Sequence, residues 1–440
     1  MQSRRRFLKT GAGIAAAGLL APSIVPARVL GANAPSNRIT IGIIGCGRQE
    51  IIVNTPQFLS APDAQILAVC DVDRWRAEEN RDQIEAHYGA ERNSNNYAGC
   101  DVYEDFRELL ARDDIDAVMI SAPDHWHAPM GIHAANAGKH VCIEKPISTA
   151  LAHGRLLANA VAENGVVSRN DSEFRSIRRM WKAVELVRNG YIGELEHMIS
   201  HVPEDSEPIG RPAPMPAPPE LNYPLWLGPA PGAPYTEQRV HPPKQVRARP
   251  GWLRISDYTE GMITNWGTHL NDIVQWANGT DRSGPVSVEG AGAFSEGLWD
   301  TIVEFKVHYE YANGVTLEYE MGRDPGVEFR GSEGWLRVPY RGDVEASDPA
   351  ILDMEPTGDG LDLSDTMGDK EDFLHAIKTG RETLQPAEAG HRTCSLCQIG
   401  LIAVRLGRKL TWDPESETFP GDDEANTMLD RPTRGDWFAS

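Results

Sequence analysis

Three short motifs carry residue types suited to chemistry. The first is Gly45-Cys46-Gly47-Arg48-Gln49-Glu50, directly after the β-branched run Ile39-Thr40-Ile41-Gly42-Ile43-Ile44. A glycine after a strand permits a tight turn, and a second one lets the backbone approach a pyrophosphate. A helix beginning at Arg48 would aim its first amides, those of Arg48 and Gln49, and its positive dipole end at the phosphates. Asp71 closes the next apolar run, 64–70, and is placed to accept both ribose hydroxyls of NAD. A 2′-phosphate would meet that carboxylate, although Arg74 and Arg76 leave NADP open. Position 50 departs from the fingerprint, with Glu50 where a third glycine usually stands. It is expected to hinder helix–strand packing or repel phosphate, and Pro56 to shorten the helix. The second motif is Ser121-Ala122-Pro123-Asp124-His125-Trp126-His127, and the third is Glu144-Lys145-Pro146. Each follows an apolar run, at the edge where ligands bind in a parallel sheet. A lysine desolvated there loses its proton more easily, which suits proton transfer to or from a hydroxyl.

These motifs need elements that bring them to one edge. From Arg38 to about Val167, apolar runs at 39–44, 64–70, 117–121 and 140–143 alternate with helical patterns at 74–88, 106–112, 127–137 and 149–164. Strands with almost no polar alternation, separated by helices, predict a doubly wound parallel sheet. After Phe174 the pattern predicts a helix over 179–189 and a strand over 194–202. A stretch follows in which 13 of the 31 prolines fall between 203 and 243. Its interleaved Tyr223, Leu225, Trp226, Leu227 and Tyr235 predict an ordered arm rather than a flexible linker. Then come a helix over 267–276 and alternating strands at 285–293, 300–311, 316–321, 326–330 and 334–338. The turn Ala312-Asn313-Gly314-Val315 sits between two of them. Helices over 370–378 and 388–407 close the pattern. The expected fold is α/β, a Rossmann-type doubly wound sheet followed by an α+β domain with a largely antiparallel open sheet. The domains are a leader over 1–34, a dinucleotide-binding domain over 35–167 and a substrate and oligomerisation domain over 168–440.

With Trp226-Leu-Gly-Pro-Ala230, Asn265-Trp-Gly-Thr-His269 and Gly407-Arg-Lys-Leu-Thr-Trp-Asp-Pro414, these motifs resemble those of the Gfo/Idh/MocA oxidoreductases, especially their exported bacterial branch. The resemblance covers nearly the whole chain beyond the leader. It implies an enzyme that moves a hydride between a sugar or polyol carbon and a tightly held NAD, with NADP possible. Lys145 matches the family's catalytic lysine, and His269 the histidine of its D-x-x-x-H motif. Asn265 stands at the aspartate of that motif and, four residues away on a helix, faces the same way. Asn265 cannot accept a proton, and Asp272 is the substitute partner considered for His269. Pro123 and His127 match positions on the nicotinamide side, and Glu144 joins the cofactor-contacting set. The resemblance also implies a homo-oligomer built through the open sheet. It admits two other readings: a glycosidase that transiently oxidises its sugar with bound NAD, and a sugar- or nucleotide-binding protein without turnover.

The chain has 440 residues and a formal net charge of −21, which sets nucleic acid and anionic membrane surfaces aside as partners. Ser3-Arg4-Arg5-Arg6-Phe7-Leu8-Lys9, a short apolar stretch and Ala32-Asn33-Ala34 fit a twin-arginine export signal, and hence a periplasmic protein without membrane insertion after cleavage. Cys394-x-x-Cys397 lies in a helical pattern without a second pair, so all six cysteines are expected to be packed thiols, and no metal is expected. Around the motifs, Arg175, Arg178, Arg179 and Lys182 are read as a solvated helix face. Tyr258, Glu260 and Trp266 are placed near the His269 helix, and Arg239 and His241 in the arm as a cover or a subunit contact.

Overall fold

The computed structural model describes residues 37–438, except 95, 206–207 and 358–359, so the proposed leader lies outside the described residues. Six strands form the first sheet: β1 (Ile39–Ile44), β2 (Ala64–Cys70), β3 (Asp101–Tyr103), β4 (Ala117–Ile120), β5 (His140–Glu144) and β6 (Ser168–Asp171). Their order is β3-β2-β1-β4-β5-β6 and all pairs are parallel. The order reverses between β2 and β4 on either side of β1, which opens the crevice above their carboxyl ends where ligands bind. Strands buried on both faces carry apolar residues at nearly every position, as β4 does.

The connecting helices are α1 (Thr55–Ser60), α2 (Arg74–Glu91), α3 (Phe106–Leu110), α4 (Asp124–Asn136) and α5 (Leu151–Asn164). A π-turn over Glu50–Asn54 leads into α1. Its Thr55 N–H reaches back five residues to Glu50 O. Pro56 follows within the first turn of α1, and the helical run continues to Ser60. Pro56 thus sits at the start of α1, where a missing N–H costs least, and α1 runs for only six residues.

The remaining helices are α6 (Arg178–Arg188), α7 (Tyr223–Leu227), α8 (Met262–Asn265), α9 (Gly267–Asn278), α10 (Asp369–Thr379), α11 (Ala387–Leu406) and α12 (Asp423–Thr427). The second sheet is built from β7 (Leu195–Pro203), β8 (Ser287–Phe294), β9 (Ile302–Glu310), β10 (Thr316–Gly322), β11 (Gly326–Gly331), β12 (Trp335–Pro339), β13 (Glu345–Ala346) and β14 (Leu410–Thr411). The strand order is β13-β12-β11-β7-β10-β9-β8-β14. Every pair is antiparallel except β7 with β10. One face buries Val307, Tyr309, Leu317, Tyr319, Val327 and Phe329 in a core shared with α6, α9 and α11. The alternate residues Lys306, His308, Glu318 and Glu320 face away from it.

Strand β6 was not expected, and it carries the first sheet four residues past the boundary drawn at Val167. Its sequence, Ser168-Arg169-Asn170-Asp171, is polar yet fully buried, so apolar patterning cannot find it. Charge pairing replaces hydrophobicity there. Arg169 pairs with Asp372, and Lys370 with Asp171, in contacts brought by α10. The backbone N–H of Asn170 donates to Gln385 O at 2.8 Å, so residues far along the chain complete the edge of the first sheet. Removing one partner of a buried pair leaves an uncompensated charge. Lys370→Met should therefore lower unfolding free energy by about 3 kcal/mol, as measured by chemical denaturation.

Candidate active site

The glycine loop follows from its backbone geometry. Gly45 has φ +91°, and a Cβ there would lie 2.7 Å from the Ser121–Ala122 backbone, so the turn against β4 requires glycine. A Cβ on Gly47 would meet only Ser121 O at 3.8 Å, which leaves the outer face of the loop open. The first-turn amides after Gly47 have no intrahelical acceptor and remain available to an anion. Asp71 accepts from Cys46 N–H at 2.6 Å and from Asp73 N–H at 2.7 Å. It fixes the loop while each oxygen keeps a lone pair for a ribose hydroxyl. Burial beside Asp73 pushes its carboxyl up to about 6. These features fit a dinucleotide laid along the edge.

Glu50 neither blocks the loop nor faces a phosphate. It is fully buried, and the π-turn swings it beneath the loop, where it accepts from Thr55 Oγ1 at 2.7 Å and Ser121 Oγ at 2.6 Å. Burial raises its carboxyl to about 7. Arg76 also departs from expectation. It is 4% exposed and turned toward Asp73 at 3.6 Å, so it is not presented to a 2′-phosphate. Arg48 is exposed at the helix start, and Gln49 Nε2 donates to Glu173 Oε1 at 3.1 Å. Pro123 is the residue before α4. His127 lies beneath the cleft, 1% exposed, with its ring nitrogens 2.6 Å from Pro146 O and 2.8 Å from Ala122 O. It staples the second motif to the third rather than lining the nicotinamide side. His125 is likewise internal, 3.1 Å from Trp226 O.

Lys145, just past the end of β5, reaches the junction of α8 and α9 that carries His269. Lys145 Nζ donates to Asn265 O at 2.8 Å. That carbonyl is free because His269 N–H turns instead to Trp266 O, at the break between α8 and α9. Burial lowers the Lys145 pKa, opposed by the carboxylates of Glu144, Asp124 and Glu173. Glu144 is held by Asn54 Nδ2 at 2.9 Å. Ser172 O lies 2.5 Å from His269 Nδ1, so Nδ1 carries the proton and Nε2 keeps its lone pair. Burial and the nearby Lys145 charge hold the imidazole well below its usual pKa. The Phe174 ring stacks on His269 at 4.5 Å, and Trp266 and Tyr340 stand edge to face at 4.7 Å beside it.

Asn265 contributes its backbone carbonyl to Lys145. Asp272 is not brought to His269: both its oxygens are on Arg175, at 2.7 and 2.8 Å, and it is fully buried. That pair also corrects the reading of Arg175 as a solvated residue. Sequence reasoning missed Ser172 and Phe174, which clamp and border the imidazole, and Glu173 between them, which bonds Gln49 and whose charge supports the Lys145 ammonium. Glu173 has φ +62° and ψ −35°, an unfavourable conformation for a residue with a side chain. No periodicity marks that tripeptide. All six cysteines are free and buried. Among the described residues, no group of His, Cys, Asp or Glu is arranged to hold a metal, and no helix is long and apolar enough to cross a membrane.

Comparison with known proteins bears on this geometry. The family model described as oxidoreductase family, NAD-binding Rossmann fold, matches residues 39–171, and its C-terminal alpha/beta domain model matches 210–439. A glycosyl hydrolase family 109 protein of Shewanella pealeana (strain ATCC 700345 / ANG-SQ1) is 31% identical over 212 residues, 44% of this chain and 44% of that one. The match thus spans less than half the length of such relatives. Among solved structures, the WlbA dehydrogenase of Chromobacterium violaceum, in complex with NADH and UDP-GlcNAcA, superposes with TM-score 0.61 at 18% identity, covering 85% of this chain and 96% of that one. An aldose-aldose oxidoreductase of Caulobacter crescentus, complexed with glycerol, gives TM-score 0.58 at 17% identity, covering 85% and 99%. At such identities the likeness is one of fold.

The buried Glu50 sets a pH dependence of stability. Its folded pKa lies above the ordinary 4.5, so the folded state favours the protonated form and stability falls as pH rises from about 4.5 to about 7. Glu50→Gln should remove that fall. Thermal midpoints of variant and wild type should agree at pH 4.5, with the variant higher at pH 8.

Proposed function

The chain belongs to the Gfo/Idh/MocA oxidoreductase family, with an NAD-binding Rossmann fold followed by the family's C-terminal domain, and on that premise we propose that it transfers a hydride between a sugar or polyol carbon and bound NAD. The observation that carries this reading is the contact of Lys145 Nζ with Asn265 O, one turn before His269. It brings the ammonium that follows β5 and the imidazole of α9 together.

The roles follow from the hydrogen bonds. His269 Nε2, unprotonated, takes the proton of the substrate hydroxyl, while Nδ1–H stays on Ser172 O. Lys145, as ammonium, stabilises negative charge developing on that oxygen. When bound, the nicotinamide accepts or returns the hydride. Trp266, Tyr340 and Phe174 supply flat apolar surface beside His269, which suits the C–H faces of a sugar ring. The half-buried setting limits water around the reacting oxygen.

A second reading has its own support in the relatives named glycosyl hydrolase family 109. The same proton and hydride steps, run forward and then reversed around loss of an aglycone, give net hydrolysis. Product analysis separates the two: hydrolysis leaves the sugar's oxidation state unchanged, whereas the oxidoreductase yields a keto sugar, lactone or alditol. The compartment we propose is periplasmic, on the twin-arginine pattern at residues 3–9. The subunit assembly we propose is a homo-oligomer joined through the open sheet.

Lys145→Ala should abolish turnover in a sugar screen followed at the reduced-nicotinamide absorbance, with the nucleotide still released on denaturation. Turnover that persists in this variant would overturn both readings. In wild type, the rate should show no loss near pH 6.5, because His269 is already neutral there, and should decline on the alkaline side below pH 10.5 as Lys145 loses its proton.

A further inference from the structure

The carboxyl edge of the first sheet faces a second wall, contributed by the proline-rich arm. The arm is fastened to the end of β2. Leu221 bridges Asp73, Asn222 N–H donates to Val72 O at 2.8 Å, and Arg74 N–H donates to Glu220 O at 3.0 Å. Further along, His241 Nε2 lies 2.9 Å from the Asp73 carboxylate. Behind these contacts Leu221, Trp226, Tyr235, Val240 and Tyr258 form a buried cluster, so the arm is held and not loosely draped.

From His241 the chain passes Lys244 and Arg247 and reaches Arg249. Arg249 donates to the Met262 sulfur at 3.6 Å, at the start of α8, and lies 3.4 Å from Asp205. At this end the segment touches α8, whose last carbonyl, Asn265 O, holds Lys145 Nζ, and the charges of Arg48 and Lys145 both act against that of Arg249. Residues 241–249 therefore run from Asp73, beside the ribose-binding Asp71, to the neighbourhood of Arg48 and Lys145. That is the course a dinucleotide takes along this edge, from its adenosine ribose to its nicotinamide.

The charge of the segment fits that path. Between Gln238 and Ser256 there are five basic residues, Arg239, Lys244, Arg247, Arg249 and Arg254, and no acidic one, in a chain of net charge −21. Arg249 remains 41% exposed despite its carboxylate neighbour. Carboxylates answer four of the five, Glu220 at Lys244, Asp257 at Arg239 and Asp205 at both Arg249 and Arg254, so Arg249 shares its one counter-charge with a second guanidinium.

We propose that residues 241–249 form the phosphate-covering wall of the dinucleotide site, with Arg249, aided by Arg247, facing the pyrophosphate across from the glycine loop and slowing release of the coenzyme. The proposal rests on the dinucleotide site alone and not on the sugar reading.

The test is coenzyme release from the purified full-length holoprotein. NADH is bound, chased with excess NAD, and followed by nicotinamide fluorescence without any substrate. Arg249→Ala should release NADH at least five-fold faster, and Arg247→Ala/Arg249→Ala faster still. Arg249→Lys, which keeps the charge, should recover most of the retention. Adenosine, which lacks phosphates, should bind the wild type and Arg249→Ala alike. Release accelerated less than five-fold, equal weakening of adenosine, or wild-type protein that holds no dinucleotide would each overturn the proposal. A failed sugar screen leaves these readouts untouched.

Discussion

A positive charge held largely out of water, just past the end of β5, is the constraint around which the site is arranged. The Lys145 ammonium leaves β5 with its proton made easier to lose by burial. An ion moved from water into a protein interior costs several kcal/mol unless partners replace its hydration. The partners come from both modules: Glu144 from the end of β5, Asp124 from the start of α4, Glu173 from just beyond β6, and the Asn265 carbonyl from the end of α8. That carbonyl is available only because the helix breaks at Trp266, sending His269 N–H to a different acceptor. The break that serves the lysine also sets where His269 stands. The ammonium and the imidazole are thus positioned by a single backbone irregularity.

Two departures from the family pattern are compensated by backbone rather than by another side chain. Asn265 stands where the resemblance leads one to expect an aspartate beside the histidine, and Ser172 O holds the proton on His269 Nδ1. A carbonyl directs the proton but adds no full charge, so its upward pull on His269 is outweighed by burial and by the Lys145 charge, and the pKa stays low. Glu50 replaces the third glycine of the loop. The π-turn widens the helix enough to tuck its carboxyl against Ser121 and Thr55, so the glycine's packing role is met by geometry. Ser121 in turn accepts from Asn54 at 3.1 Å, and Asn54 also holds Glu144. The substituted position has become the first member of a network that ends beside the lysine.

What the sequence made legible tracks how local each signal is. Apolar runs such as 39–44 and 64–70 identify β1 and β2 to the residue, because both faces of those strands are buried. The alternating strands of the second sheet are as clear, because one face is wet. Strand β6 escapes that logic: Arg169 and Asp171 are buried through ion pairs with α10, two hundred residues away, and no window of sequence contains both partners. The site divides in the same way. Gly45, Asp71 and Lys145 sit at the ends of strands and could be read from position. Asp272 could not be separated from a histidine partner by spacing alone, since its claim was three residues on a helix and its true partner, Arg175, lies in another element. His127 has the residue type of a site group and the burial of a staple, a distinction that needs coordinates.

The electrostatics of the whole chain give the cleft its character. A surface of net charge −21 opposes the approach of an anionic dinucleotide, yet at physiological salt that opposition fades beyond about 8 Å. Within that distance the local charges decide: Arg48, Lys145 and Arg249 stand at this edge together with the carboxylates of Glu144, Asp124 and Glu173. The acidic exterior therefore opposes approach from solution, and on the proposal above the wall that carries Arg249 opposes release. Asp71 adds to this asymmetry, since it spends one lone pair of each oxygen on the loop and turn that a ribose would contact. The loop is thus held in its binding shape before any ligand arrives, and little conformational entropy remains to be lost on binding. A preformed floor and a fastened wall are the features on which the proposed slow release of the coenzyme rests.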